Sequence, residues 1–318
     1  MLNNENGLVP VTGGRGRRRL KFEFPDIRVG IAEYEEGPTG CTVLHFPTRA
    51  RCEVDVRGGA PGLFGGYGYA DAICFAGGSL YGLESAAGVA AEILEGRQDV
   101  SWGNIACVSG AIIYDFTARR TLCYPDKTLG RAAFRAAVEG SFPLGRQGAG
   151  RSATVGKIAG SRRFKGEPGG QGAAVDALGS LTVAVFTVVN SLGAVIDEDG
   201  SVLRGYRDRE SGERLHLHEI IERFPAEVPP LDGPEAGGNT TLSAVVVNQR
   251  LPPHELRQLA RQVHAAMARV IQPFHTIRDG DIMFALSAGE EPPNLNVVAI
   301  GEFASSLAAK AVRAAVAS

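Results

Sequence analysis

The sequence lacks an excess of charge of either sign, and it lacks long apolar runs. Its 318 residues carry 33 Lys and Arg against 35 Asp and Glu, which gives a formal net charge of −2. A near-neutral chain has no electrostatic footprint for nucleic acid or an anionic membrane surface, so neither is an expected partner. No apolar run reaches the ~20 residues that a membrane-spanning helix needs. We therefore expect a soluble protein.

Cysteine is scarce, and its spacing fits no common metal or disulfide motif. No two cysteines form a C-x-x-C pair, and an odd number argues against a disulfide framework. The five cysteines are Cys41, Cys52, Cys74, Cys107 and Cys123. Reduced thiols and a cytoplasmic location are the expectation, with no metal in the protein.

The arginines near the start of the chain are not expected to belong to an export signal. Arginines at positions 15, 17, 18 and 19 are followed by Lys21, Glu23 and Asp26, where a signal peptide would have its apolar stretch. Residues 1–20 show no periodicity, so we predict a disordered N-terminal tail there. The remaining residues, 21–318, are predicted to form a single domain.

Glycine, in contrast, is abundant, with 42 residues in the chain. That share is about twice the usual ~7%, but it has no three-residue period, so a collagen-like structure is excluded. Glycine permits tight turns and close approaches of the backbone, and we expect both to be common. The segment 58–82 is especially rich in glycine.

The hydrophobic patterns predict a layered α+β fold. A near-continuous apolar run at 181–189 is typical of a strand buried on both faces. Other strands are predicted at 27–32, 42–46, 52–56, 105–114, 241–247, 282–286 and 295–300. Helices are predicted at 83–94, 129–138 and 253–271, and from residue 303 onward. Strict βαβ alternation is absent, which favours α+β over a doubly wound sheet.

Three short motifs lack a required member. In the sequence from Gly145 to Ser152, Arg151 replaces the lysine of a phosphate-binding loop, and the preceding residues make a poor strand. His216 and His218 have no third histidine or cysteine nearby, so a surface strand is favoured over a metal site. A calcium loop starting at Asp279 lacks its later ligands. We therefore expect no cofactor.

A threonine at the junction of a linker and a buried strand offers catalytic chemistry. Residues 198–238 carry charges and then prolines, and they end in Gly237 and Gly238, just before Asn239 and Thr240. Alone, this pattern indicates no more than a strand start. If the bond before Thr240 is cut, its α-amine, with a reference pKa of ~7.7–8.0, can act as base for its own hydroxyl. Flexible glycines would let the backbone reach the strained geometry that such a cut requires.

Several motifs in the same order carry a specific resemblance. These are N-T-T-L-S at 239–243, Q-P-F-H-T at 272–276 and D-G-D at 279–281, preceded by Y-E-E-G-P-T-G at 34–40, Y-G-L-E at 81–84, I-Y-D-F at 113–116 and Y-P-D-K at 124–127. With them the chain resembles the nylon-oligomer hydrolases, which are 6-aminohexanoate oligomer endohydrolases within the L-aminopeptidase D-alanine esterase/amidase family. The resemblance spans almost everything from residue 20 to the end.

This resemblance implies a fold and a processing step. The fold would be a four-layer αββα sandwich, of the type that ornithine acetyltransferases share. The precursor would cleave itself between Asn239 and Thr240 into an α chain, residues 1–239, and a β chain, residues 240–318, that stay associated. Thr240 would then form an acyl-enzyme with the substrate and be released by water. A homo-oligomer, specifically a tetramer of cleaved units, is also implied.

The resemblance also assigns a carboxylate pair beside the nucleophile. Asp279 and Asp281 would orient and tune Thr240, and residues two apart on an extended strand share one side. The alternative is a solvated turn, if Gly280 bends the chain.

Three further residues receive roles in the same way. Asn190 would donate to the developing oxyanion, with a strand cap as the alternative. Lys157 would provide positive charge near the nucleophile, with a surface lysine as the alternative. Tyr81 would line the substrate pocket, with core packing as the alternative.

The expected activity is hydrolysis of small linear amides or peptides, including 6-aminohexanoate oligomers. A β- or D-aminopeptidase activity uses the same machinery and remains an alternative. So does acyl transfer, since ornithine acetyltransferases also use a self-released threonine. The last alternative is an unprocessed binding protein that retains the scaffold without the chemistry.

Overall fold

The computed structural model describes residues 1–14, 16, 18–230 and 238–317. Two of the tail arginines, Arg15 and Arg17, lie outside the described residues, as does the segment 231–237 with Gly237 of the predicted linker.

Five α-helices occur in the described part of the chain. They are α1 (Glu84–Glu95), α2 (Lys127–Arg135), α3 (Leu217–Arg223), α4 (Pro253–Ala266) and α5 (Val297–Val316). The helix α4 continues into a short 3₁₀ turn at Met267–Arg269. No helix among the described residues combines the length and apolarity that a membrane crossing would need.

The strands range from two-residue pairings to one of 18 residues. In chain order they are β1 (Val11–Thr12), β2 (Arg19–Lys21), β3 (Arg28–Tyr34), β4 (Thr39–Val56), β5 (Leu63–Phe64), β6 (Tyr69–Ala76), β7 (Val108–Ile112), β8 (Val138–Glu139), β9 (Ser141–Pro143), β10 (Thr154–Val155), β11 (Phe164–Lys165), β12 (Glu167–Pro168), β13 (Gly170–Leu178), β14 (Leu181–Asn190), β15 (Ala194–Ile196), β16 (Val202–Arg204), β17 (Arg207–Asp208), β18 (Thr240–Val247), β19 (Ile271–Gln272) and β20 (Ile282–Ser287).

The longest strand, β4, joins two halves of the main sheet. That sheet has the order β13-β14-β18-β20-β4-β6-β7-β5, and β3 pairs with β4 and in turn with β1 and β8. The second half of β4, residues 51–56, pairs with β20, whereas its first half pairs with β3 and β6. The two halves enclose a shared apolar core between them, in which Phe75 meets Phe284 and Phe22 meets Phe186.

Alternating side chains of the central strands serve two different cores. In β14, Val183 and Val185 pack in the core beneath α4 and α5, while Phe186 and Val188 belong to the core between the sheet halves. A separate core beneath α1 and α2 contains Val43 and other residues of β4 and β6. Helices therefore cover both outer faces, which confirms the predicted four-layer αββα arrangement and the strand buried on both faces.

Part of the predicted disordered tail is instead paired with the main body. Strand β1 pairs with β3, and β2 pairs with β9. The side chain of Asn4 donates to Asp126 at 2.7 Å and to the carbonyl of Tyr124 at 3.0 Å. Leu8 and Leu20 also pack against two of the apolar cores. Contacts with distant residues, rather than a local periodic pattern, therefore order the segment.

The predicted strand at 295–300 is wrong, because helix α5 begins there. The side chain of Asn296 accepts a hydrogen bond from the N–H of Ala299 at 3.0 Å, which caps the helix start. The apolar run that follows is buried as one face of α5, and the helix starts well before the predicted residue 303. A short apolar run alone does not distinguish a buried helix turn from a strand.

Three other sequence predictions also differ from the structure. The predicted strands at 42–46 and 52–56 form the single strand β4, and β6 lies within the glycine-rich stretch where no strand was predicted. His216 and His218 do not lie on a surface strand, because His216 precedes α3 and His218 lies within it. The strands β4 and β6 form through partners that are distant in sequence, and α3 is capped by the contact of the His216 N–H with Glu219.

Candidate active site

Thr240 is the first residue of β18, and it lies at the end of the sheet where β14 ends and β20 begins. It is paired with Asn190, the last residue of β14, and Asn239 forms a bridge with Asp279, which precedes β20. The side chain of Thr240 is buried, with 4% of its surface exposed. The topology thus brings Thr240, Asn190 and Asp279 together from three separate segments.

The carbonyl of Asn239, which belongs to the predicted cleavage bond, has two close donors. The Oγ1 hydroxyl of Thr240 donates to it at 2.5 Å, and the N–H of Gly280 donates to it at 2.8 Å. A Cβ at position 280 would lie 2.7 Å from Thr240 Oγ1 and 2.7 Å from the carbonyl oxygen of Ala60. Glycine is therefore required sterically, and its backbone N–H faces the carbonyl that the nucleophile would attack.

Asp281 is fully buried and holds the backbone next to the nucleophile. Its Oδ1 accepts from the N–H of Thr241 at 2.7 Å. Its Oδ2 accepts from the backbone N–H of His275 at 3.1 Å and lies 3.1 Å from Nδ1 of the same residue. This carboxylate therefore contacts the Thr240 segment through the peptide N–H that follows it.

Asp279 is also fully buried, which excludes a solvated turn at this carboxylate pair. Its carboxylate accepts from the N–H of Thr276 at 2.9 Å, from the hydroxyl of Thr276 at 2.6 Å and from the N–H of Leu192 at 3.4 Å. Burial raises the pKa of Asp279, and the charge of Asp281 raises it further.

Lys157 and Asn190 both donate to the carbonyl of Gly238, one residue before the Asn239 of the predicted cleavage bond. The Lys157 ammonium donates to the carbonyl of Gly238 at 3.1 Å, to the carbonyl of Asn190 at 2.9 Å and to its side-chain Oδ1 at 3.2 Å. Asn190 Nδ2 also donates to the Gly238 carbonyl, at 2.9 Å, and to that of Tyr114 at 3.1 Å. Burial lowers the pKa of Lys157 to about 7, against the opposing effect of Asp279.

Tyr81 lies in an exposed aromatic group rather than in the core, with 67% of its surface accessible. Its ring centroid lies 6.4 Å from that of Phe116 and 5.8 Å from that of Tyr124. Tyr81, Tyr114 and Phe116 line an open cavity of about 510 Å³. Since Tyr114 also packs against Gly238, two residues before Thr240, this cavity adjoins the candidate active site.

Two contributors were not identified from the sequence. The sequence predicts Gly280 only as a possible bend, and His275 only as part of the Q-P-F-H-T motif. Gly280 lies between the two aspartates and His275 lies shortly before them, and this proximity in sequence is the signal that could have identified them. Among the residues that the structure describes, no group of three or more His, Cys, Asp or Glu side chains is arranged to hold a metal ion.

The fold defines the class of protein. The structure matches the L-aminopeptidase D-Ala-esterase/amidase of Ochrobactrum anthropi, a variant of the N-terminal nucleophile hydrolase fold, with a TM-score of 0.66 at 15% identity over 98% of this chain and 89% of that one. It matches a Burkholderia sp. beta-aminopeptidase equally well, with a TM-score of 0.66 at 18% identity over 99% and 90% of the two chains. The protein thus has the N-terminal nucleophile hydrolase fold.

Sequence comparison then identifies the family. The profile of Peptidase family S58 matches residues 23–318, and the chain belongs to this family. A 6-aminohexanoate-oligomer endohydrolase of Paenarthrobacter ureafaciens is 49% identical over 91% of this chain and 80% of that protein. An uncharacterised aminopeptidase of Mycobacterium tuberculosis is 32% identical over 98% and 93% of the two chains. The protein is therefore a hydrolase of amide bonds.

Proposed function

We propose that the protein cleaves its own Asn239–Thr240 bond and that Thr240 is then the nucleophile for hydrolysis of linear amides. The observation that carries this proposal is the pair of donors on the Asn239 carbonyl, the Thr240 hydroxyl and the Gly280 N–H. One donor is the nucleophile itself, and the other faces the oxygen on which negative charge would develop.

Self-cleavage begins when Thr240 Oγ1 attacks the carbonyl carbon of Asn239 and loses its proton. The Gly280 N–H stabilises the oxyanion. The C–N bond then breaks, the nitrogen of Thr240 takes up a proton, and Asn239 is left as an ester on Oγ1. Water hydrolyses this ester, which releases the Asn239 carboxylate and leaves Thr240 with a free α-amine.

Turnover uses the new amine as base for the Thr240 hydroxyl. In the intact chain Lys157 Nζ and Asn190 Nδ2 both donate to the carbonyl of Gly238. After cleavage this carbonyl moves away from them. These two donors then bind the oxygen of the substrate carbonyl. An acyl ester on Thr240 forms, the amine product leaves, and water releases the acid.

The two aspartates have separate roles in this scheme. Asp281 accepts N–H donors on both oxygens and fixes the start of β18. Asp279, whose pKa is raised by burial, takes up and returns a proton near the nucleophile.

We further propose that the substrate is a linear amide with an apolar chain between its amide groups, such as a 6-aminohexanoate oligomer. The cavity beside Tyr81 and Phe116 is lined mainly by apolar surface, and it adjoins Gly238 through Tyr114. Each methylene group buried there would contribute ~0.8 kcal/mol. The 49% identical endohydrolase, named for this substrate, supports the same assignment.

The assembly and its location are also proposals. Residues 21–318 form one domain made of two chains after cleavage, and four such units form the oligomer that the resemblance implies. The free state of all five cysteines supports a reducing cytoplasm. Light scattering on the cleaved protein measures the number of units directly.

Intact-mass spectrometry of the purified protein tests the cleavage proposal. We expect two masses, corresponding to residues 1–239 and 240–318, and a single unprocessed mass for Thr240→Ala. Thr241→Val is the matched control, because the Thr241 hydroxyl is buried and has no hydrogen-bond partner among the residues that the structure describes, so its removal leaves the site's contacts intact. A Thr240→Ala protein that still separates into two chains, or still hydrolyses oligomers, contradicts the assignment.

A second assay distinguishes hydrolysis from acyl transfer. With a 6-aminohexanoate oligomer as acyl donor, we expect free acid as the product at all concentrations of an added amine. Product that forms only when the amine is present would identify an acyltransferase.

A further inference from the structure

A buried pair of histidines lies behind the candidate active site. His264, on α4, has its Nδ1 2.9 Å from Oδ2 of Asp55, a residue of β4. His275 has its Nδ1 3.1 Å from Oδ2 of Asp281. The two imidazole centroids are 4.3 Å apart, with their planes at 82°. Two Asp–His pairs from separate elements therefore meet edge to face.

The hydrogen-bond partners of each ring show which nitrogen carries the proton when the ring is neutral. The side chain of His264 is 1% exposed and that of His275 is 17% exposed. In both rings Nε2 is buried without a hydrogen-bond partner among the described residues. A carboxylate only accepts hydrogen bonds, so each neutral ring places its proton on Nδ1 and directs it at its aspartate.

The backbone of His275 makes this contact double. Its φ is 60°, in the left-handed region that non-glycine residues seldom adopt. In this conformation the backbone N–H and the ring Nδ1 of His275 both reach Oδ2 of Asp281. The other oxygen, Oδ1, is then directed at the N–H of Thr241. His275 thereby sets the rotation of the carboxylate that holds the nucleophile strand.

The second pair supports the first from the far side. Asp55 also accepts from Arg57 Nε at 2.6 Å, and the N–H of Arg57 donates to the carbonyl of Asp281 at 3.2 Å. Burial lowers the pKa of His264, although Asp55 opposes this, and the nearby charge of His275 lowers it further. Among the described residues, Asp55 and Asp281 face the two rings directly, and Arg57 faces them through its contact with Asp55.

We propose that His275 is a positioning residue for both self-cleavage and turnover, and that His264 with Asp55 holds its ring in place. This inference rests on the proposed role of Thr240. The two donors of His275 keep the carboxylate of Asp281 aimed at the Thr241 N–H, which fixes Thr240 against the Asn239 carbonyl. A proton added to the buried ring of His264 places charge beside the imidazole of His275 and disturbs the contact between the two rings, so both reactions slow in acid.

Substitutions that tolerate a left-handed backbone test this role without adding strain. His275→Asn retains a donor near the position of Nδ1, and His275→Gly removes the side chain, while both residues adopt positive φ readily. We expect His275→Gly to slow self-cleavage at least about tenfold, the usual effect of losing a hydrogen bond to a charged group. His275→Asn should stay close to the wild-type rate. For turnover the loss should fall on kcat, with KM little changed.

The control is His218→Asn, an exposed histidine on α3 that should behave as wild type. His264→Gln, a change on another element, should move the acid side of the pH–rate profile. Thermal unfolding of each variant separates loss of positioning from loss of the fold. A wild-type rate for folded His275→Gly, or an unchanged pH profile for His264→Gln, overturns the inference. Cleavage that persists in Thr240→Ala instead overturns the proposed function.

Discussion

At the scale of single residues, Lys157 shows how the fold changes the chemistry of a side chain. Its Nζ lies within hydrogen-bond distance of three oxygens, at 2.9, 3.1 and 3.2 Å. An ammonium group has three N–H donors and satisfies all three, whereas a neutral amine has only two. The geometry therefore favours the charged form, although burial lowers the pKa to about 7.

This balance leads to a pH prediction for self-cleavage. Below about pH 7 Lys157 holds its proton, and as pH rises through that value the proton is lost. Since the charged form stabilises the site, the cleavage rate should fall across this range. Lys157→Met should be slower by a factor of about 10 to 100, because it removes hydrogen bonds that a charged group donates to the carbonyls of Gly238 and Asn190, and it should not show this alkaline fall.

Lys157→Arg provides the control, because arginine stays charged across this pH range. It should retain more activity than Lys157→Met, and its cleavage rate should not fall near pH 7. Stopped samples quantified by denaturing gel give the rates. A wild-type rate that instead rises through pH 7 would make Lys157 a base and contradict this role.

At the scale of elements, helices α1 and α2 pack through glycine. A Cβ at Gly130 of α2 would lie 2.0 Å from the carbonyl oxygen of Ser85, and one at Gly88 of α1 would lie 2.2 Å from that of Lys127. No real Cβ fits at such distances, so the helices would have to separate. These helices cover the core that contains β4 and β6.

We predict that Gly130→Ala lowers the free energy of unfolding by about 1–3 kcal/mol, the usual cost of overpacking. This outweighs the ~1 kcal/mol gain in helix propensity. Gly96→Ala is the matched control at the end of α1, because its nearest atom would lie at an ordinary 3.7 Å. Urea denaturation measures both, and equal midpoints for the two variants would show that the helices tolerate the added methyl group.

At the scale of the whole molecule, the proposed cut falls beside a central strand. Strand β18 pairs with β14 on one side and with β20 on the other, and its alternate residues enter two cores. Helices α4 and α5, which also follow the cut, fill the core beneath this half of the sheet. Both cores thus contain residues from both sides of the proposed cut.

The cleaved protein should therefore stay together. On size-exclusion chromatography under native conditions we expect residues 1–239 and 240–318 to elute as one species, and to separate only in denaturant. Neither fragment should refold alone after separation, since each lacks part of the two cores that they share. A β chain that elutes separately without denaturant would contradict the single-domain interpretation.

Much of the site could be predicted because its residues stand in motifs that follow one another along the chain. Thr240, Asn190, Lys157, Asp279 and Asp281 were all identified this way, and the structure brings them together, while their catalytic roles remain proposals. Gly280 and the His264–His275 pair were not identified. A backbone N–H has no sequence signature, and the two histidines are joined by a contact between a helix and a loop.

The sequence by itself determined the family, the layered α+β architecture and the position of Thr240 at the start of a buried strand. Local patterns suffice for these features, because apolar periodicity and ordered motifs are properties of the chain alone. Only the tertiary structure decided that α5 starts at Val297, that part of the N-terminal segment pairs with β3 and β9, and that Gly280 faces the Asn239 carbonyl. The start of α5 depends on the burial of its apolar run, since a short run alone does not distinguish a helix from a strand. The other two features depend on contacts between segments far apart in sequence, which form only when the backbone folds.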